Sequence, residues 1–330
     1  MTDVKGDRKA RPSEQDDPDL YLRVVEKNSR GIVVKGAKNH ITMGPYVDEH
    51  LVIPTRTLTK DEGDWAVSFA VPADADGIKI VSRIVTPRPR IALKAPYNTF
   101  GVADSVVIFD NVFVPWERVF MCGEWEFAGR LALTFAGFHR HSYCGCKPAV
   151  TDIILGATAL VAEYNGVGKS SHIMDELTEL MILAELVYAS GIAAAAKATK
   201  TSSGIYTPEF LYSNTGRYMA GINIYHEYDV LASVAGGLPS TLPTEEDWLN
   251  PELTSDLDKY IRRKPDVSAE KLHRLYRFIS DFSCSAMCGW AQYAGVHGGG
   301  SPVMEKIGIR SGYDIEGKKK IARDLAGIKD

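Results

Sequence analysis

The chain has 330 residues, 45% of them hydrophobic and 24% charged, with a net charge of −4. That length suits about two domains, and the composition is that of a globular protein. The mild negative charge argues against nucleic acid as a partner, no apolar run reads as long enough to span a bilayer, and the N-terminus lacks the apolar core of a secretory signal, so no membrane association and a cytoplasmic location are expected.

The opening stretch MTDVKGDRKARPSEQDDPDL has few apolar side chains, and residues 1–19 read as a loop or a disordered tail. Runs 20–26, 31–36, 50–58, 65–72, 78–85 and 105–115 then favour β-branched and aromatic residues, with proline and glycine between them. Residues 20–122 therefore predict a β-sandwich or barrel domain. After Cys122 the period changes. Residues 125–144, 148–166 and 173–200 carry apolar side chains at three- and four-residue spacing, the mark of helices. Thr207-Pro208 predicts a helix start, with threonine as cap, and Asp266 or Ser268 a cap for the run 269–295. Gly236 and Gly237 suit a helix end, and 236–265 a polar connection. Residues 123–330 thus predict a bundle of four or more helices, and the whole chain an α+β fold: a β domain followed by a C-terminal helical bundle.

Chemistry-bearing residues crowd into FHRHSYCGCK, residues 138–147. On one helix, His139 and Cys146 lie within about 20° of each other, Tyr143 about 40° from His139, and Cys144 about 140° away. An imidazole, a phenol and a thiol thus share a face over about 10 Å, too long for one zinc ion but suited to a metal cluster or a flavin edge. The same spacing also fits plain packing, with His139 and Tyr143 at an interface and Cys146 in a core. The other cysteines are Cys122, Cys284 and Cys288; an odd total of five favours reduced thiols. Cys284 and Cys288, four residues apart, are expected on one helix face.

FHRHSYCGCK resembles the H-x6-C segment of the 4-hydroxyphenylacetate 3-hydroxylase flavoprotein family, in its branch of acyl-CoA dehydratase/isomerases. TDVKGDR (2–8), GAKNHITMGP (36–45), FDNVFVPWERVF (109–120) and HGGGSP (297–302) are similar to further segments of that family, so the likeness covers essentially the whole chain. The resemblance implies an acyl-CoA-dehydrogenase-like fold, bound FAD, an acyl-CoA substrate and a homotetramer. It implies that Thr2, Asp3, Lys5, Gly6, Arg8, His40, Thr42, Gly298 and Gly299 contact the flavin. It further implies that His139 and Cys146 ligate a [4Fe–4S] cluster, and that His139, Tyr143 and Lys147 are catalytic. In the implied chemistry a base takes the C2 proton of a thioester, FAD exchanges an electron and a cluster iron polarises a departing hydroxyl. Moving a double bond along a butenoyl thioester needs only a base and an acid beside the flavin.

Two departures qualify this. The family carries a helical domain before TDVKGDR, with a C-x-x-x-C pair that completes the cluster, whereas this chain starts at Met1; the expectation is a domain truncated here or supplied by a separate polypeptide, and no stable cluster in this chain alone. The family also has a glutamate one turn before the HG-x-GSP motif, where this chain has Ala294 and Gly295, with Glu305 the nearest downstream carboxylate. Asp104 is a further candidate carboxylate. A flavin monooxygenase acting on a phenol, or a non-catalytic fragment, are the alternatives.

Overall fold

The computed structural model describes residues 2–85, 92 and 101–328. The described residues form two compact units, one of 2–85 and 101–135 and the other of 92 and 136–328.

The first unit is built on two antiparallel sheets. β1 (Arg23–Lys27), β2 (Gly31–Thr42), β5 (Ile78–Val85) and β6 (Val102–Pro115) form one, in the order β1-β2-β6-β5. β3 (Glu49–Val52), β4 (Val67–Pro72) and β7 (Val119–Cys122) form the other, in the order β3-β4-β7. Alternate residues point inward, as the two-residue period of a strand requires. Ile32, Val34, Phe109 and Val112 from one sheet meet Val52, Phe69 and Val71 from the other in a single buried cluster. Phe69 and Phe109 pack edge to face across it, with ring centres 5.9 Å apart. Two sheets sharing a core correct the barrel alternative: no closed barrel forms among the described residues.

The polar N-terminal stretch is not a loose tail. Asp3 pairs with Lys38 in an isolated antiparallel bridge, and the Asn39 amide donates to the Thr2 carbonyl at 2.7 Å. The Lys38 ammonium lies 2.6 Å from the Asp3 carboxylate and donates to the Ile53 carbonyl at 3.1 Å, all buried. Further along, the Arg11 guanidinium grips the Glu62 carboxylate through two of its nitrogens. The segment has too few apolar groups to anchor itself, so paired charges and backbone bonds do so.

The second unit is helical. α1 (Trp125–Tyr164) begins in the first unit and runs into the second as one helix of 40 residues, passing through Pro148. It joins the two helical stretches that the sequence suggests, since Pro148 removes only one backbone bond. α2 (Ser171–Ala196), α3 (Phe210–Ile222) and α4 (Ile224–Ala235) follow, the last ending at Gly236 with φ +71°. The polar connection holds three short helices, α5 (Leu238–Thr241), α6 (Glu245–Leu249) and α7 (Thr254–Ile261). Then come α8 (Ala269–Cys284), α9 (Ala286–His297), α10 (Pro302–Gly312) and α11 (Ile315–Ala326). Ser268 caps α8, its hydroxyl accepting from the Lys271 amide at 3.3 Å. Thr207 does not cap α3: it pairs in a two-residue strand, β9 (Tyr206–Thr207), with β8 (Thr199–Lys200), and the Glu209 side chain accepts from the Leu211 amide instead. α1 and α2 are long and apolar enough in composition to cross a membrane, with mean hydropathy of 1.3 and 1.5 over their most apolar windows. This corrects the expectation that no run reaches that length. α1 nevertheless carries Arg140 and Lys147, which bond to Asn214 of α3 and to Glu227 of α4.

The Arg11–Glu62 contact predicts an acid-sensitive N-terminal segment. Burial pushes the Glu62 carboxyl up, but its hydrogen bonds from Arg11 and from Thr59 outweigh that and hold it below the usual range. A carboxyl lowered on folding stabilises the protein above its unfolded pKa and stops doing so as pH falls through the folded value. Relative to the intrinsic rate at each pH, hydrogen exchange of residues 2–20 should be constant from neutral pH down to about pH 5 and rise below about pH 4. Glu62→Gln should show the raised exchange at every pH; equal protection of the two proteins at neutral pH would remove the contact from the account.

Candidate active site

α1 brings the residues of 138–147 to several faces, as its period requires. Cys144 is fully buried, its thiol donating to the Arg140 carbonyl at 3.3 Å, and burial pushes its pKa up to about 11. His139 and Cys146 are exposed, and Tyr143 is half-buried. The Tyr143 hydroxyl donates to the Gly295 carbonyl at 3.3 Å, and burial pushes the phenol up to about 12, so it stays protonated. The His139 imidazole is held below its ordinary pKa by partial burial and by the Arg217 and Arg140 guanidiniums, which favours the neutral ring. Burial raises the Cys146 thiol as well.

The floor under this face is a glycine turn at the end of α9. Gly299 and Gly300 have φ of +77° and +117°, which side chains rarely adopt. A Cβ on Gly299 would come within 2.7 Å of His139 Nδ1, and one on Gly300 within 2.7 Å of an Arg140 nitrogen. The carbonyls of the turn face two buried arginines. Arg140 donates to the Gly299 carbonyl at 2.8 Å and to Asn214 Oδ1 at 2.8 Å. Arg217 of α3 donates to the Gly298 carbonyl at 3.0 and 2.7 Å and to that of Gly295 at 2.7 Å. Its guanidinium also stacks over the Tyr143 ring, 4.2 Å from the centroid. Glu305 of α10, with 0% of its side chain exposed, lies 3.6 Å from Arg217, and burial raises its carboxyl.

Lys147 points into the bundle. Its ammonium donates to Thr151 Oγ1 at 2.8 Å and to both oxygens of Glu227 at 2.5 Å, and the pair is buried. Burial lowers the lysine and raises the glutamate, so each is pushed toward its neutral form. Lys147 therefore joins α1 to α4, where the resemblance implied a catalytic group.

Cys284 and Cys288 do not share a helix face. The chain leaves the helical conformation at Ser285, with φ −83° and ψ 162°, and the Ser285 hydroxyl caps α9 by accepting from the Cys288 amide at 3.1 Å. Cys284 is exposed, whereas Cys288 is buried with its thiol pushed up to about 11. Among the described residues, no group of three or more His, Cys, Asp or Glu side chains could hold a metal ion. The resemblance implies His139 and Cys146 as cluster ligands, which are two where a cubane takes four.

In the first unit, three implied flavin contacts have positive φ, Lys5 at +79°, Gly6 at +45° and His40 at +57°, which is strained for Lys5 and His40. Lys5 is held below an ordinary lysine by burial and by Arg8, with Asp3 opposing and Arg56 adding to the effect. Crowded cations of this kind suit a diphosphate. Asp3 is committed to Lys38, and Thr42 donates to Asp104 Oδ1 at 2.6 Å, which engages Asp104 as well. Thr2, Gly6, Arg8 and His40 lie at or near the surface.

Sequence reasoning missed Arg140, Asn214, Arg217 and Glu227. One signal was available: Ser213, Asn214, Gly216, Arg217, Ala220 and Gly221 are the buried face of α3, so small and polar residues recur at helical spacing where apolar ones are usual.

A two-sheet unit with a phosphate-suited turn, followed by a bundle that presents an imidazole, a phenol and a thiol, is the plan of a flavin-dependent enzyme. Residues 1–121 match the family model for the 4-hydroxyphenylacetate 3-hydroxylase N-terminal region, and residues 128–327 that for the C-terminal region. The chain belongs to the 4-hydroxyphenylacetate 3-hydroxylase family. It is 39% identical, over 100% of its length and 70% of the relative's, to the 4-hydroxybutyryl-CoA dehydratase/vinylacetyl-CoA-Δ-isomerase of Clostridium aminobutyricum. Among solved structures it is similar to an oxygen-tolerant archaeal 4-hydroxybutyryl-CoA dehydratase from N. maritimus, with a TM-score of 0.93 and 36% identity over 100% of this chain and 67% of that one. The oxygenase component of 4-hydroxyphenylacetate 3-monooxygenase, complexed with FAD and 4-hydroxyphenylacetate, matches with a TM-score of 0.90 and 26% identity over 98% of this chain and 68% of that one. The chain thus spans about two thirds of the length of these relatives.

The buried Lys147–Glu227 pair gives a stability prediction. Glu227→Leu strands the lysine and should cost about 3–5 kcal/mol in urea unfolding, while adding Lys147→Met should recover most of the loss. Additive losses would mean that the two charges are solvated separately.

Proposed function

We propose that this chain carries the flavin- and acyl-CoA-handling part of an acyl-CoA dehydratase/isomerase of the family, acting on 4-hydroxybutyryl-CoA or vinylacetyl-CoA. The observation that carries the reading is the α1 face on which His139, Tyr143 and Cys146 occur together: an oxygenase acting on a phenol has no need of a paired imidazole and thiol. The 39% identity to the clostridial dehydratase/isomerase supports the same choice.

FAD is the cofactor of this reading. The strained turn at Lys5 and Gly6, with Arg8 and Arg56 nearby, fits a diphosphate, and His40 and Thr42 offer polar groups to a ring edge. When bound, FAD supplies electron transfer beside the substrate. The chain's own part is proton movement. A neutral His139 takes the C2 proton of a butenoyl thioester, which the thioester carbonyl acidifies, and a proton returned at C4 completes the shift of the double bond. Tyr143, protonated across the working range, orients the substrate by hydrogen bonding. Lys147 holds α1 against α4. A cluster held in part by His139 and Cys146, with its other ligands from a partner polypeptide, would supply a Lewis acid for the dehydration of a hydroxyacyl substrate.

The fold is acyl-CoA-dehydrogenase-like in this reading, and the assembly is a homotetramer. α2 supports assembly, since Met181, Ile182, Leu186, Tyr188 and Ile192 are exposed on it and would be covered by another copy.

Purified protein should take up a yellow chromophore that leaves as FAD on denaturation, and in heavy water should place deuterium at C2 of a butenoyl-CoA. His139→Ala should abolish the exchange and Cys144→Ala should spare it, because Cys144 is packed away from that face. Equal losses would make the segment structural, and hydroxylation of a phenol by the reduced flavoprotein with oxygen would establish the monooxygenase instead.

A further inference from the structure

We propose that Arg217 is a positioning residue: its guanidinium ties the Tyr143 ring to the glycine turn under His139, so that the two sides of the reacting face move as one piece. The inference rests on the reaction proposed above.

Arg217 is fully buried, so it does not itself reach a substrate. Its bonds go to two elements that both bear on the reaction. The flat face lies on Tyr143 of α1 at 4.2 Å, and the edge donates to the carbonyls of Gly295 and Gly298, the second at 3.0 and 2.7 Å. The Tyr143 hydroxyl closes the circuit by donating to Gly295 as well. Gly299, next in the chain, is where His139 Nδ1 rests. Glu305 at 3.6 Å is the counter-charge that lets the guanidinium stay inside. A lysine would keep the charge but would lose both the plane that stacks and the fork that bridges two carbonyls. Room for the side chain comes from Gly221, where a Cβ would stand 2.5 Å from Arg217 Nη1. Gly221→Ala therefore displaces the guanidinium without removing it.

The test compares Arg217→Lys and Gly221→Ala with the wild type, each as the full FAD-loaded chain. Turnover is read as deuterium entry at C2 of a butenoyl-CoA, and local order as amide exchange of residues 295–300, with α2 as the internal control. Both variants should lose kcat by on the order of tenfold to a hundredfold, as a misplaced group does. KM should stay within about twofold, because ground-state binding is not touched. Amide exchange should rise in residues 295–300 and not in α2. Wild-type kcat with unchanged protection at 295–300 would overturn the inference, as would loosening that spreads equally into α2. If Arg217→Lys fails to fold, Gly221→Ala decides by the same readouts. If the wild type exchanges no C2 proton, the proposed reaction has failed, and the amide arm still judges Arg217: loosening confined to 295–300 supports the tie, and none refutes it.

Discussion

A buried guanidinium needs acceptors for its donors, and the region around α1 supplies them to Arg140 and to Nε and Nη2 of Arg217. A helix end leaves carbonyls without intrahelical partners. The end of α9 supplies them: the carbonyls of Gly295, Gly298 and Gly299 accept from the two arginines. The turn that aims those carbonyls needs positive φ at Gly299 and Gly300, and it must pass close to His139 and Arg140. One constraint thus explains the run of glycines, the polar buried face of α3 and the place of Glu305. The glycines that the resemblance implies as flavin contacts also have this local task.

Buried charges recur deliberately in this unit. Lys147 with Glu227 links α1 to α4, and Arg217 with Glu305 links α3 to α10. Such pairs return little net stability over apolar packing, yet breaking one half is costly, so they penalise slips of one helix along another. Glu227 lies in the first turn of α4, where the helix dipole also favours a carboxylate. An arrangement that fixes register suits a face on which an imidazole and a phenol from successive turns must meet one substrate.

Much of the fold was legible. Val, Ile and Phe are dense enough in residues 31–36 and 105–115 to identify β2 and β6, and Ser268 was readable as a cap. The errors have local causes. Ser285 stops α8 and caps α9, so the helical spacing of Cys284 and Cys288 was an artefact of a continuous apolar pattern. Thr207-Pro208 looked like a helix start, but short-strand pairing with Thr199–Lys200 claimed the threonine. At the site, the cluster 138–147 stood out by composition, and the separation of Cys144 from His139 followed from helical period alone. The pairing of Lys147 could not be read, because its partner, Glu227, is 80 residues away. Arg217 and Asn214 were invisible for the same reason: a polar residue in a helix looks exposed until the partners that let it be buried are known.

The base and the orienting phenol of the proposed reaction, His139 and Tyr143, depend on a floor that neither of them builds. That floor is shared by two arginines from different helices, and its integrity is the central claim. A double-mutant cycle of Arg140→Met and Arg217→Met, followed by urea unfolding of the full chain, tests it most directly. If both guanidiniums hold one turn, removing the first already releases much of what the second holds, and the coupling should exceed about 1 kcal/mol. Losses that add to within about 0.5 kcal/mol would show that each arginine serves its own neighbours and that the turn is held by something else.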